Sequence, residues 1–392
     1  MIRGSLWAFL LYDVAEEIRL DDARARLGAG SGQARPEFRG AAPEYVRFAH
    51  APVTQTLGPV EVAGLGTCGC VFKLHEYGVV SVALEIPYEG DWRGLVELCG
   101  RAIPSPEIER RTLEIAQSKL TAIQPCLVNS YPNWTSEDYY VVHLSHAAES
   151  PHDASLEARE LLDRHGAEIA QIVRGEAIPL SVSERGEILK EWLSYYPNDL
   201  LVVAWMAAFV YDSPEGAAPA LQLLEYANTQ LIEFRYYDDR LTNVLADVRR
   251  RLEKRRRIWG SWTMVREAER LNRIRLDVIE LTERVDNSIK FLSDMYYARA
   301  YRLAARKIGV IDYRDLVDAK LATAADLYRS IVDEFHQARA FLLEATVVAL
   351  SKRRSLPLPG VIPKAASPAR MNTRRRVTSS SRTRLDSSIT DP

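Results

Sequence analysis

The residues whose spacing most suggests chemistry form a basic cluster between two stretches of helical periodicity. Seven cations fall within nine residues, next to Trp259 and Trp262: Arg249, Arg250, Arg251, Lys254, Arg255, Arg256 and Arg257. Cations beside aromatic rings suit contact with phosphates and stacking against bases. The basic cluster is therefore a candidate contact for RNA or for an anionic membrane surface, although charge runs at helix ends are more often simply solvated.

A glycine-rich segment from Gly64 to Gly69 matches the G-x-G-x-x-G pattern of dinucleotide-binding loops. That function requires a helix to begin at the glycines, so that its amides meet the pyrophosphate. Residues 70–74 favour another strand, because they are apolar and β-forming. The pattern here predicts a hairpin turn, and we expect no bound cofactor.

Cys68, Cys70 and His75 invite a metal interpretation, but a C-x-C pair without a second pair lacks a familiar ligand spacing. The four cysteines are too few and too irregular for a disulfide framework, which predicts free thiols. An enzyme would have to use scattered groups such as Glu85, Glu89, Tyr139 and His143. We therefore predict no metal site and no catalytic residue.

One helical stretch concentrates polar and aromatic groups around Asn228, Arg235 and Asp238. Asn228 lies next to the apolar seam of the helix, Asp238 lies in it, and Arg235 stands three residues before Asp238. The favoured interpretation is a structural polar pairing that fixes the register of the helices, with a ligand site as the alternative.

The first 150 residues combine strand and helix signals. Runs rich in β-branched and aromatic residues predict strands at 6–14, 59–63, 70–74, 79–86 and 138–144. Charged and apolar residues at helical spacing predict helices at 21–27, 92–102 and 106–120. These signals predict an α+β fold, with a mixed α/β N-terminal head at residues 1–150.

The remaining chain turns helical. Residues 151–215 continue the head, with predicted helices at 156–173 and 182–195 and an apolar run at 200–211 that we interpret as a strand. Residues 216–350 show apolar positions at alternating steps of three and four in three runs, which predicts a long antiparallel, coiled-coil-like helical stalk. Residues 351–392 are predicted to be a basic, disordered tail.

Composition narrows the class of protein. The 392 residues are 47% hydrophobic and 27% charged, which excludes a chain disordered throughout, and no apolar run has the length of a membrane span. The net charge of -2 is unevenly distributed: residues 1–351 carry a net charge of -10, and residues 352–392 carry +8. The N-terminus lacks a secretory cleavage pattern, so we expect a cytoplasmic location, with peripheral contact at the inner membrane as an extension.

Three segments carry a resemblance to a known family: LSYYPNDLLVVAWMAAFVYD, LLEYANTQLIEFRYYDDRL and ERVDNSIKFLSDMYYARAYRLAARKIGV. They resemble bacterial members of the required-for-meiotic-nuclear-division (RMD) family, which share the domain of unknown function numbered 155. The resemblance runs from about residue 60 to 350. It implies a non-enzymatic role, since the family has no established catalytic residues, and eukaryotic members support mitochondrial translation at the inner membrane.

Members of that family commonly end in a long helix that runs into a membrane segment. The apolar run 341–350 looks like the beginning of such a segment, but it stops at Ser351 and gives way to basic residues. Ten residues span about 15 Å, against about 30 Å of hydrocarbon. We therefore expect a shortened anchor that does not span a membrane.

These observations favour a structural or interaction protein, a membrane-proximal or translation-supporting scaffold that forms a homo-oligomer or binds a protein partner through the stalk. Two alternatives stay open. One is an RNA-binding or anionic-surface-binding module that uses the basic cluster, and the other is an enzyme with an unrecognised site in the head.

Overall fold

The computed structural model describes residues 1–28, 31–33, 51–145, 156–253 and 295–354, together with 269, 272–276, 278–280 and 283. The strands are β1 (Ile2–Ile18), β2 (Ser31–Gln33), β3 (Val53–Val62), β4 (Gly66–Leu74), β5 (Val79–Gly90), β6 (Leu127–Leu144), β7 (Trp192–Leu193), β8 (Leu200–Val203) and β9 (Ala207–Tyr211). The helices are α1 (Leu20–Leu27), α2 (Trp92–Ala102), α3 (Pro106–Ile123), α4 (Ala158–Arg174), α5 (Val182–Ile188), α6 (Pro214–Glu253), α7 (Met295–Ile308) and α8 (Val310–Arg354).

The described strands form one mixed sheet in the order β2-β3-β4-β5-β1-β6-β9-β8-β7. Its centre is β1, which pairs antiparallel with β5 and β6 and is buried on both faces, with Leu6 on one and Leu11 on the other. The pair β6–β9 is parallel, and the other pairs are antiparallel. The predicted α+β fold is confirmed. The hairpin predicted at Gly64–Gly69 is also confirmed, because Val62 pairs with Gly66 at the end of β3 and β4.

Helices α1 to α4 cover one face of the sheet. The core on that face joins residues such as Leu6, Leu10 and Phe72 of the strands to Leu95 of α2 and Ile108 of α3. The four cysteines are free, as predicted, and the structure buries them; Cys68 and Cys70 lie in this core. Among the described residues no group of His, Cys, Asp or Glu side chains has the arrangement of a metal site.

The opposite face is covered by α6, α7 and the first turns of α8. Its core joins Phe9 and Leu11 of β1 to Leu224 and Phe234 of α6 and Tyr301 of α7. We expected residues 216–350 to form a long antiparallel, coiled-coil-like helical stalk. The structure instead lays the first half of α6 on the sheet, because its apolar positions complete a sheet face that would otherwise meet water.

The segment 182–211 differs from its predicted elements in detail. The helix expected at 182–195 ends at Ile188 and is followed by the short edge strand β7. The strand expected at 200–211 is a pair of antiparallel strands, β8 and β9, with Val203 opposite Ala208. Trp205 and Met206 form the turn and are half exposed, so the apolar run does not continue as one buried strand.

The chain divides into two compact units, Met1–Asp333 and Glu334–Pro392. The first contains the sheet and both cores. The described part of the second is the C-terminal portion of α8, from Glu334 to Arg354. Within the described ranges, no helix combines the length and the apolarity that crossing a membrane requires.

Candidate functional site

The candidate site is a layer of polar side chains enclosed between the sheet and α6. Ser213 begins this helix, since its hydroxyl oxygen accepts a hydrogen bond from the Gly216 amide at 3.1 Å. Further along, Glu225, Thr229 and Glu233 are spaced by four residues, so they share one face of the helix. We call the following residues the buried polar layer: Asp13, Lys73, His75, Tyr77, Ser81, Glu225, Thr229 and Glu233.

A buried ion pair forms the first part of the buried polar layer. Lys73 and Ser81 are cross-strand neighbours on β4 and β5. The Ser81 hydroxyl donates to Glu225 Oε1 at 2.6 Å, and Lys73 pairs with Glu225 Oε2. Both members of the ion pair are largely shielded from solvent. Glu225 is thereby fixed by two strands, which sets the position of α6 on the sheet.

The second part is a hydrogen-bonded chain around Tyr77, in the turn before β5. Its hydroxyl lies 2.7 Å from Thr229 Oγ1 and 3.2 Å from His75 Nδ1. Burial lowers the pKa of His75 to about 4, so the imidazole is neutral at neutral pH. Within the described part of the chain, His75 Nε2 has no hydrogen-bond partner.

The third part is Asp13, whose side chain is 1% exposed and interrupts the apolar residues of β1. Neither of its carboxyl oxygens has a hydrogen-bond partner among the described residues. Burial raises the pKa of Asp13 to about 8, because the charged form is poorly solvated. The carboxyl is therefore mostly protonated at neutral pH.

Tyr131 of β6 lies within electrostatic reach of Asp13 and packs against Tyr236 of α6. Their rings are stacked with centroids 4.7 Å apart. Burial raises the pKa of Tyr131, and the hydrogen bond to Tyr236 and the charges of Asp13 and Glu233 raise it further. The two acidic groups thus approach the same tyrosine from the sheet and from the helix.

The residues of the predicted polar pairing, Asn228, Arg235 and Asp238, take separate partners. The Asn228 amide donates to the Leu224 carbonyl oxygen at 2.8 Å, within its own helix. Arg235 forms an ion pair with Glu137 of β6. Asp238 Oδ1 lies 2.5 Å from Lys320 Nζ of α8. The structure does not bring Arg235 and Asp238 together, because the sheet and α8 each offer an opposite charge.

Among the described residues, Glu137 is a further carboxyl with a raised pKa. Burial raises it to about 7, and the neighbouring Arg235 guanidinium opposes that rise. This position was outside the predicted site, since Glu137 lies in a polar stretch that did not indicate a strand. The structure buries it because β6 extends beneath α6.

The predicted basic cluster lies only partly within the described residues. Arg249, Arg250 and Arg251 are on the last turns of α6, and the side chains of Arg249 and Arg250 are exposed. Arg250 forms an ion pair with Asp247 in the preceding turn. Lys254, Arg255, Arg256 and Arg257 lie outside the described residues.

The residues that we considered as candidates for an enzyme active site each contact a different part of the structure. The Tyr139 hydroxyl donates to the Ala204 carbonyl oxygen at 3.0 Å, and His143 Nε2 lies 3.0 Å from the Asp212 carbonyl oxygen. Glu89 forms an exposed ion pair with Arg3 at 3.1 Å. These contacts tie strands and turns to one another.

The buried polar layer was not predicted from the sequence, although two signals point to it. Asp13 is the acidic break in the apolar run 6–14, and Glu225, Thr229 and Glu233 repeat every four residues beside an apolar seam. Chemically, the layer does two things. It fixes α6 by charge and hydrogen bonds, and it holds one carboxyl group, that of Asp13, whose pKa burial raises to about 8.

The comparisons with known proteins concern mainly the sheet. The uncharacterized protein MJ0711 of Methanocaldococcus jannaschii is 24% identical over 165 residues, which cover 42% of this chain and 50% of that relative. The chain thus spans about half the length of the curated relative it matches. No solved structure matches the chain. The family model described as "Uncharacterized protein MJ0711, N-terminal domain" matches residues 3–218, from β1 to the start of α6. Since this range is more than half of the sequence, the chain belongs to the MJ0711 N-terminal domain family.

Proposed function

We propose that the chain is a non-enzymatic interaction protein, in which the sheet anchors long helices that associate with a second copy of the chain. The observation that carries this proposal is an apolar surface on the C-terminal portion of α8. Phe341, Leu343 and Leu350 are 72%, 60% and 66% exposed, and Val347 and Val348 are also more exposed than buried.

The spacing on this surface suits a helical partner. Leu343, Val347 and Leu350 lie at steps of four and three, so they form one stripe along the helix. Burying a side chain of this size stabilises an interface by about 1.5 to 3 kcal/mol. A second copy presents the same stripe, and a two-fold symmetric pairing would bury both at once.

The buried polar layer, together with the ion pair between Arg235 and Glu137, supports the same function within the first compact unit. Glu225 is held by Lys73 and Ser81, and Arg235 is held by Glu137. These contacts give α6 one position on the sheet. A fixed helix is a better scaffold than a mobile one, because less conformational entropy is lost when a partner binds.

The test is the oligomeric state of the full chain, measured by size-exclusion chromatography with light scattering over a range of concentrations. We expect a dimer or larger assembly that the double substitution Leu343→Asp with Leu350→Asp converts to monomer. The matched control, Ala319→Asp with Thr323→Asp, adds the same charge to exposed positions of the same helix and should leave the assembly intact. A parent chain that is monomeric at every concentration would refute the proposal.

The family resemblance to RMD proteins extends this proposal to a membrane-proximal or translation-supporting scaffold in the cytoplasm, with peripheral contact at the inner membrane. Co-purification with ribosomes or with inner-membrane vesicles would support one of these settings, and recovery with neither would count against both.

A second candidate function is contact with RNA or an anionic surface through the basic cluster. It is favoured by the exposure of Arg249 and Arg250 at the end of α6. Charge reversal at Arg255, Arg256 and Arg257 should then weaken RNA binding and reduce its salt dependence, by about 0.7 in slope for each phosphate that is no longer neutralised. If the parent and the charge-reversal variant bind RNA equally well, the basic cluster is only a solvated charge run and not an RNA contact.

A further inference from the structure

Helix α7 presents a narrow stripe of cations to solvent. Eight of its 14 residues are buried against the sheet and α6. The exposed positions at steps of four, three and four are Met295, Arg299, Arg302 and Arg306. The sequence of α7 contains no acidic residue. Three of the four side chains along this stripe are therefore guanidinium groups that no acid of the same helix neutralises.

Aromatic rings lie at both ends of the stripe. At the N-terminal end, Tyr195 contacts Tyr296 with centroids 5.2 Å apart, and the Arg299 guanidinium carbon lies 6.0 Å from the Tyr296 ring centroid. At the C-terminal end, the Trp205 ring packs on Gly309, where a Cβ would lie 3.0 Å from it. Tyr195 and Trp205 are each 51% exposed, so their rings are accessible from solvent.

The charges on the stripe are available for an anionic partner. Arg306 pairs with Glu191, but both side chains are about half exposed, and such a surface pair contributes little and exchanges easily. Among the described residues, Arg302 makes no ion pair within 4 Å. A row of cations flanked by exposed rings combines phosphate contact with base stacking.

We propose that this α7 surface, formed by Arg299, Arg302 and Arg306 with Tyr195 and Trp205, binds single-stranded nucleic acid. Stacking on these rings needs unpaired bases, which a duplex does not offer. A membrane surface is the less suitable partner, because the apolar face that an interfacial helix inserts into lipid is here buried against the sheet. The proposal does not rest on the scaffold function, and its residues are other than those of the basic cluster.

The experiment measures binding of the full chain to fluorescently labelled oligouridine RNA over a range of salt concentrations. The triple substitution Arg299→Gln, Arg302→Gln and Arg306→Gln should weaken binding about tenfold or more at low salt. It should also reduce the slope of log affinity against log salt by about 2, since each neutralised single-strand phosphate contributes about 0.7. The triple Lys variant at the same positions should keep most of the slope.

The rings are tested separately. Tyr195→Ala with Trp205→Ala should weaken oligouridine binding about thirtyfold or more without changing the salt slope, because stacking does not release counterions. Circular dichroism of each variant checks that it is folded.

The matched control removes the same number of charges from the other face of the sheet, with Arg93→Gln, Arg101→Gln and Arg110→Gln on α2 and α3. It should bind RNA like the parent. An unchanged slope in the α7 variant would overturn the proposal, and so would an equally weakened control. Tighter binding to an RNA duplex, or to vesicles containing anionic phospholipid, would also overturn it.

Discussion

At the scale of single residues, the buried polar layer contains ionisable groups with opposite pH behaviour. Burial raises the pKa of Asp13 to about 8 and lowers that of His75 to about 4. In the unfolded chain these values return to about 3.9 and 6.5. Stability is therefore lost through Asp13 as the pH rises from about 4 to 8, and through His75 as the pH falls from about 6.5 to 4.

The substitution Asp13→Asn should remove the first of these two dependences. Between about pH 7 and pH 9 His75 is neutral in both states, so it adds no slope there. The parent should lose free energy of unfolding at up to about 1.4 kcal/mol per pH unit until Asp13 is ionised. The Asn variant should lose less, and it should be the more stable protein at about pH 9. Urea denaturation at several pH values measures this.

An exposed aspartate is the control for that measurement. Asp22 of α1 lies at the surface in an ion pair with Arg19 at 3.1 Å. Asp22→Asn should keep the pH dependence of the parent. If Asp13→Asn also keeps it, Asp13 does not titrate in the folded protein near neutral pH.

The ion pair between Lys73 and Glu225 should behave as a buried pair. Glu225→Gln leaves the Lys73 ammonium shielded from solvent without its opposite charge, which should lower the free energy of unfolding by about 3 to 5 kcal/mol. Lys73→Met with Glu225→Leu removes both charges and should cost less than the single substitution. A double-mutant cycle, made of Lys73→Met alone, Glu225→Leu alone and both together, measures the coupling between the two residues. Simple additivity of the two sites would show that the pair is not coupled.

At the scale of elements, the sequence predicts a helix or strand correctly where its boundaries are set by nearby residues. Helix α2 has its predicted bounds, Trp92–Ala102, because Asp91 caps it and accepts a hydrogen bond from the Gly94 amide at 2.8 Å. The predicted strand at 138–144 is only the second half of β6. Residues 127–137 are polar and contain Pro132; they become a strand because β1 pairs with them, as in Ile18 opposite Leu127.

Distant partners explain the rest of what the sequence did not predict. The apolar seam of α6 indicates that one face of the helix is buried, but it does not indicate whether a helix or a sheet packs against that face. A partner helix and a sheet face would produce the same steps of three and four. Likewise, Arg235 could pair with Asp238 by spacing alone, but Glu137, 98 residues away, occupies its guanidinium. Such choices depend on the tertiary fold.

Packing of α6 on the sheet predicts one cooperative unfolding transition. Phe234 is fully buried in the core that joins α6 to β1, so Phe234→Ala should lower the free energy of unfolding by about 3 to 5 kcal/mol. Asn243→Ala, at an exposed position of the same helix, should change it by less than about 0.5 kcal/mol. Far-ultraviolet circular dichroism and tryptophan fluorescence should show coincident transitions. Separate transitions would indicate that α6 is independent of the sheet.

At the scale of the whole molecule, the range that the family model matches is shorter than the first compact unit and lies inside it. The match covers residues 3–218, which include the sheet side of the buried polar layer. Its helix side, at Glu225, Thr229 and Glu233, follows the matched range but belongs to the same compact unit, Met1–Asp333. The exposed apolar surface of α8 belongs to the second unit. The two buried cores and the surface that we propose for association thus lie in different segments of the chain.

A chain shortened to residues 1–333 should separate these two properties. Both buried cores lie within that range, so the shortened chain should fold and should unfold with nearly the free energy of the full chain at matched monomer concentration. It should also be monomeric under conditions in which the full chain associates, because it lacks the surface at 341–350. Denaturant unfolding and light scattering measure the two properties. A shortened chain that still associates would place the interface on the first unit, and one that does not fold would show that residues beyond Asp333 complete its core.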